Sequence, residues 1–165
     1  MSVLQFGSKS FFQSRIYRIA RDGIPVGEIA CAKRWESATI TIGGTNYTAA
    51  RAGKTSGAFY LETNGNRLAD ADQPSARNRL FTVRIGGRTL TLKTASIFAR
   101  AFILTERDVE IGSIAPVGWF SGRSKAELPD DLAPEAQAFL IWLIILMQRR
   151  AMVQAAMVAG ITAGT

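Results

Sequence analysis

Gly53-Lys54-Thr55 is the triplet that closes a phosphate-binding P-loop, in which a lysine reaches the phosphates and a hydroxyl holds magnesium. The glycine that opens such a loop would stand at position 48, which is Thr48, and a strand-like run, "AFYLE", follows where the motif needs a helix. The triplet is therefore read as a polar loop. "GWFSG", Gly118 to Gly122, has its serine one place late for a nucleophile elbow. The chain has no histidine, so the usual triads and imidazole-containing zinc sites are excluded and the commonest general base is missing. That stretch is read as a turn whose aromatic residues cover one end of the fold. Asp70 and Asp72 fall on one face of a strand, where a solvated edge is preferred to a cation site. Cys31, the single cysteine, lies in an apolar run and is read as a buried, unreactive thiol. No metal-ligand spacing, cofactor or catalytic residue emerges, and the expectation is a protein that is not an enzyme.

Charge is the feature that remains. The chain has 20 Lys+Arg against 13 Asp+Glu, a net +7, with a pI near 10.2. Between Asp72 and Glu106 there is no acidic residue, yet Arg77, Arg79, Arg84, Arg88, Lys93 and Arg100 lie there. Arg84, Arg88, Lys93, Arg77 and Arg79 are the candidate residues for holding an anion or lipid: phosphoinositide headgroups, an anionic membrane or nucleic-acid phosphates. A solvated surface is the plain alternative. Nucleic acid ranks below lipid, because stacking on single strands needs interleaved aromatic residues and only Phe81 and Phe98 are near, Phe81 facing inward.

The elements that must carry these residues are hairpins. "TITIGGTNYT", "LETNGNRL" and "LFTVRIGGRTLTLK" each place Gly-Gly or Asn-Gly between strand-like runs, the chemistry of a two-residue type I′ turn. About Gly86-Gly87, Val83 faces Leu90 and Phe81 faces Leu92, while Arg84 meets Thr89 and Thr82 meets Thr91. Apolar pairs share one face and polar pairs the other, with Leu80 opposite Lys93 as an imperfection. About Gly43-Gly44, Ile40 meets Tyr47 and Thr39 meets Thr48; about Asn64-Gly65, Leu61 is expected opposite Leu68 and Glu62 opposite Arg67. "YRIARDGIPVGEI" from Tyr17 and "FILTERDVEIGSI" from Phe102 align without gaps, which suggests either two similar hairpins or a barrel of two related halves. Roughly ten strands precede Pro116, enough to close into a barrel or split into a sandwich.

"LPDDLAPEAQAF" carries helix start signals in Asp130, Asp131, Pro134 and Glu135. From Phe139 to Met147 every residue is apolar, so the helix has no polar face and is buried all round, in protein or in lipid. A spanning helix needs about 20 apolar residues, and Gln148, Arg149 and Arg150 end this run too early. A helix over 134–150 is about 25 Å long, close to the height of a small barrel, with the arginines at the far mouth favouring the negative helix end. The preferred arrangement is one domain over residues 1–150, a closed antiparallel barrel of about 10–12 strands around a buried helix at about 134–150. A membrane helix or a partner-docking helix are the alternatives. The uncharged tail, 151–165, continues the helix, packs on a second copy of the chain or touches lipid. The N-terminus lacks a signal-peptide pattern, so a cytosolic or membrane-facing cytosolic location is expected and the Asn46-Tyr47-Thr48 sequon is taken as chance.

From about Phe11 to Arg150 the ordered set "YRIARDGIPVGEI", "FILTERDVEIGSI" and "LP…FLIWLIILMQRR" resembles the tubby C-terminal-like superfamily, which includes the LURP-one-related proteins and the phospholipid scramblases. The resemblance implies a barrel threaded by an apolar C-terminal helix and a class-level association with lipid or membrane. The scramblases' cysteine-rich segment, calcium-binding stretch and proline-rich arm have no counterpart here, which argues against scramblase activity.

Overall fold

The structure, a computed structural model, describes residues 1–8, 14–75, 79–96, 100–118 and 121–163, the last three of these by backbone alone. Its strands are β1 (Ser2–Gly7), β2 (Ile16–Arg21), β3 (Ile24–Cys31), β4 (Ser37–Ile42), β5 (Thr45–Arg51), β6 (Ala58–Thr63), β7 (Asn66–Asp72), β8 (Leu80–Ile85), β9 (Arg88–Thr94), β10 (Phe102–Glu106), β11 (Val109–Pro116) and β12 (Arg123–Leu128), followed by one helix, α1 (Pro134–Ala163). Each strand pairs antiparallel with its neighbours in sequence, and β1 closes the ring between β12 and β2. The result is a closed twelve-strand barrel with no free sheet edge.

The β4–β5 and β8–β9 hairpins have the expected registers, including Leu80 against Lys93. Both Gly-Gly turns have positive φ at each glycine, 56° and 81° at Gly43-Gly44 and 56° and 78° at Gly86-Gly87. The β6–β7 hairpin departs from the expected register. Glu62 still meets Arg67, but Leu61 meets Ala69, because a bulge between Leu61 and Glu62 leaves Leu68 as the extra residue. Period-two counting from the turn has no means of registering that insertion.

The echo in the sequence is one part of a threefold pattern, which replaces the reading as two halves. Bulges follow Ile19, Leu61 and Leu104, at steps of 42 and 43 residues, in the hairpins β2–β3, β6–β7 and β10–β11. The hairpins between them also correspond. Ile42 pairs with Thr45 and Ile85 with Arg88; 43 residues further, Leu128 pairs with Ser2. In the third unit the Gly-Gly turn is replaced by the chain's departure into α1, and β1 supplies the missing strand from the other end of the chain. Three four-stranded units thus make the wall: β2–β5, β6–β9, and β10–β12 with β1.

α1 threads this wall. Phe139, Leu140, Ile141, Trp142, Leu143 and Ile144 are fully buried, and burial continues through Met147. The all-round apolar run is therefore sheathed by protein, each large side chain contributing roughly 1.5–3 kcal/mol. α1 comes nearest to β4 and β5. The reason is side-chain size at equivalent inward positions: Ala38 and Ala49 there, Phe81 and Leu92 on β8 and β9. Phe59 and Phe81 fill the space beside the helix, Phe59 lying edge-on to both Phe81 and Trp142. The indole Nε1 of Trp142 has no hydrogen-bond partner among the described residues.

The helix does not stop at the arginines. It runs 30 residues to Ala163, so Arg149 and Arg150 sit mid-helix and the expected benefit at a negative helix end does not arise. Residues 153–160 are exposed, beyond the barrel.

Candidate functional site

An up-and-down barrel sorts its connections onto two ends. The tight turns after β2, β4, β6, β8 and β10, and the link from β12 to α1, lie at one end; the other six connections lie at the end from which α1 emerges. The turn end, counting the strand-terminal residues and the helix start, carries Asp22, Glu106, Asp108, Asp130, Asp131 and Glu135 against Arg21, Arg88 and Arg107. At the loop end the described residues include Arg15, Lys33, Arg34, Arg51 and Lys54, then Arg79, Arg100, Arg123, Arg149 and Arg150, against Glu36 and Asp72. The barrel is an electrostatic dipole whose basic pole surrounds the emerging helix.

The pole is built around the mouth. Arg150 Nη1 donates to Gln73 Oε1 at 2.7 Å, and its Nη2 lies 3.5 Å from Glu36 Oε1. Glu36 also accepts from Arg51 Nη1 at 2.9 Å. Burial, with Arg51 close by, draws the Arg150 guanidinium below its ordinary pKa, and Glu36 opposes that. Arg149 lies 4.0 Å over the ring of Trp35, which in turn meets Tyr17 edge-on at 6.3 Å. Trp35 has φ 64°, a costly conformation for a bulky residue. Its N–H donates to Ala32 O at 2.9 Å. That tight turn folds the indole inward and leaves Lys33 and Arg34 exposed on the rim.

The candidate residues distribute along this dipole. Arg88 sits at the turn end, held bidentate by Glu106 (Nε–Oε1 2.9 Å, Nη2–Oε2 2.8 Å) and by Asp131 at 2.9 Å. These partners raise its pKa, and Arg88 holds the Glu106 carboxyl below the usual range. Arg84 projects from the outer wall and is bound by Asp72, which raises its pKa. Lys93 is on the wall toward the loop end and Arg79 is exposed in the β7–β8 connection, neither with an ion-pair partner among the described residues. Arg77 lies outside the described residues, as do Phe98, Trp119 and Phe120. The segment that is acid-free in sequence is thus not acid-free in space, since β7, the β10 end and the link to α1 supply carboxylates to it.

Other motifs resolve simply. Gly53-Lys54-Thr55 is an exposed loop leading into β6. Asp70 is bound by Arg67 at 2.9 Å and Asp72 by Arg84. The hydroxyl of Ser121 donates to Val117 O, closing its turn. Among the described residues no group of three or more His, Cys, Asp or Glu is arranged to hold a metal. Beside β1 and β2 at the basic pole a cleft of about 490 Å³ is lined by Ser8, Ser14, Ile16, Arg18 and Arg123 among others. Sequence reasoning missed Lys33, Arg34 and Arg123, whose signal is that every second connection of a meander shares one end, and Arg18, which stands exposed on β2 two residues in from that end. Comparison with family models, curated proteins and solved structures finds no match for this chain.

Proposed function

We propose that the protein is a non-enzymatic barrel module that associates with anionic phospholipid at a cytosolic membrane face through its loop end. The carrying observation is the concentration, among the described residues, of ten basic residues against two acidic ones around the mouth from which α1 emerges. Lys33, Arg34, Arg79 and Lys93 supply exposed or half-exposed cations. Arg18 and Arg123 flank a cleft of a size to receive a phosphate headgroup. Arg84 and Arg88 serve the wall itself, through their carboxylate partners. Kinship with the tubby C-terminal-like superfamily belongs to the same proposal, since that resemblance implies both a helix-threaded barrel and lipid association.

Each Lys or Arg near an anionic surface contributes about 1 kcal/mol. Co-sedimentation with phosphatidylserine vesicles, with phosphatidylcholine vesicles as control, is expected to show binding to the anionic vesicles alone, weakening with salt. Lys33→Glu/Arg34→Glu is expected to weaken it by about 30-fold or more, corresponding to about 2 kcal/mol lost, while Arg84→Gln leaves it within about twofold. Equal binding to both vesicle types, or none to either at moderate salt, rejects the proposal. A second reading, self-assembly through the end of α1, is favoured by the exposure of Val153 and Met157. Light scattering on a chain ending at Arg150 tests it: loss of an oligomer supports assembly.

A further inference from the structure

The end of α1 is at odds with an aqueous setting. Residues 151–160, "AMVQAAMVAG", contain no charge and one polar side chain, Gln154. The helix there has left the barrel, with Val153 53%, Met157 64% and Val158 63% exposed. At the same end Ile16 and Val117 are each 47% exposed, so among the described residues five of the eight exposed large apolar side chains cluster at the basic pole. A helix apolar around its circumference is ordinarily buried in protein or lipid. Its inner half is in protein, and the cations about the mouth state the chemistry of what covers the outer half: an anionic surface with an apolar interior.

We propose that residues 151–160 insert into one leaflet of an anionic bilayer while the loop end of the barrel rests on its headgroups. Length sets the depth. Ten helical residues extend about 15 Å, half of a hydrocarbon core about 30 Å thick, so residues 151–160 match one leaflet. Inserted from the mouth of the barrel, the segment occupies the leaflet that the basic pole faces. Lys33, Arg34 and Arg79, at the level of the mouth, are then at phosphate height, with Arg149 and Arg150 fixing the helix to the barrel through Trp35, Gln73 and Glu36. A second copy of the chain is the rival occupant, but it would bring two strongly basic ends toward each other.

This inference rests on the headgroup reading above, and its test separates the two. Met157→Cys, labelled with the polarity-sensitive fluorophore NBD, reports the setting of the exposed helix, while buried Cys31 takes no label. On phosphatidylserine vesicles the expected result is a blue shift with a several-fold rise in emission, protection from aqueous iodide, and quenching by lipids brominated high on the acyl chain. If the protein co-sediments but the probe stays water-like and iodide-accessible, insertion is overturned and headgroup docking stands. If the protein does not co-sediment with anionic vesicles, both readings fall. If the blue shift occurs without vesicles and light scattering gives twice the monomer mass, a second copy covers the helix and insertion is overturned.

Discussion

At the scale of residues, burial decides what a functional group is able to do. Cys31 is 7% exposed, and desolvation pushes its thiol up to about 12, with Arg149 opposing only in part. Burial likewise raises the Tyr17 hydroxyl. The unfolded chain loses the thiol proton near pH 9 while the folded chain keeps it to about pH 12. The stability it contributes is therefore complete below pH 9 and is lost as pH rises toward 12, by about 1.4 kcal/mol per pH unit where the two states differ by one proton. Urea midpoints are expected to fall between pH 9 and 11, and to fall less in Cys31→Ala; equal declines would reject the assignment. The inert thiol was legible from an apolar neighbourhood. The neutralisation of Arg84 and Arg88 was not, because Asp72, Glu106 and Asp131 come from other elements and only the barrel brings them into contact.

At the scale of elements, alternation and turn chemistry made most hairpins legible, and bulges marked the limit. Gly27 and Gly112 stand at corresponding positions, opposite Ile19 and Leu104, where the sheet bends at a bulge. A Cβ on Gly112 would come within 2.7 Å of the backbone oxygen of Glu127. Gly112→Ala is expected to cost about 1–3 kcal/mol by overpacking, measured by chemical denaturation; wild-type stability would show that β12 yields freely there. In the middle unit the same position is Ala69, and Ala71 replaces the isoleucine that ends the other two. Those two changes hid the third copy from a comparison that relied on an apolar-Gly-polar-Ile ending. The helix was legible from its lack of a polar face; its continuation past Arg150 was one of three readings open for the tail, because two arginines look like an end when nothing shows what holds them. Leu143, fully buried in that helix, gives a direct check. Leu143→Asp is expected to destabilise by at least about 4 kcal/mol, an unpaired charge in an apolar interior; an unchanged thermal melt would contradict enclosure.

At the scale of the whole molecule, one rod has two settings. Its first half is sheathed by twelve strands, and its second emerges through a basic rim. The helix from Pro134 to Gly160 is long and apolar enough to cross a membrane, but two thirds of its apolar 18-residue window is buried in the barrel. The sheath therefore takes the inner part of that helix and leaves residues 151–160, about 15 Å of helical rise, outside it. Hydrogen exchange read along α1, in buffer and on phosphatidylserine vesicles, tests this division most directly. The expected result is strong protection over 136–147 in both settings, with 151–160 exchanging fast in buffer and protected only on the vesicles. Exchange over 136–147 as fast as over 151–160 in buffer would contradict the enclosed helix and the account built on it.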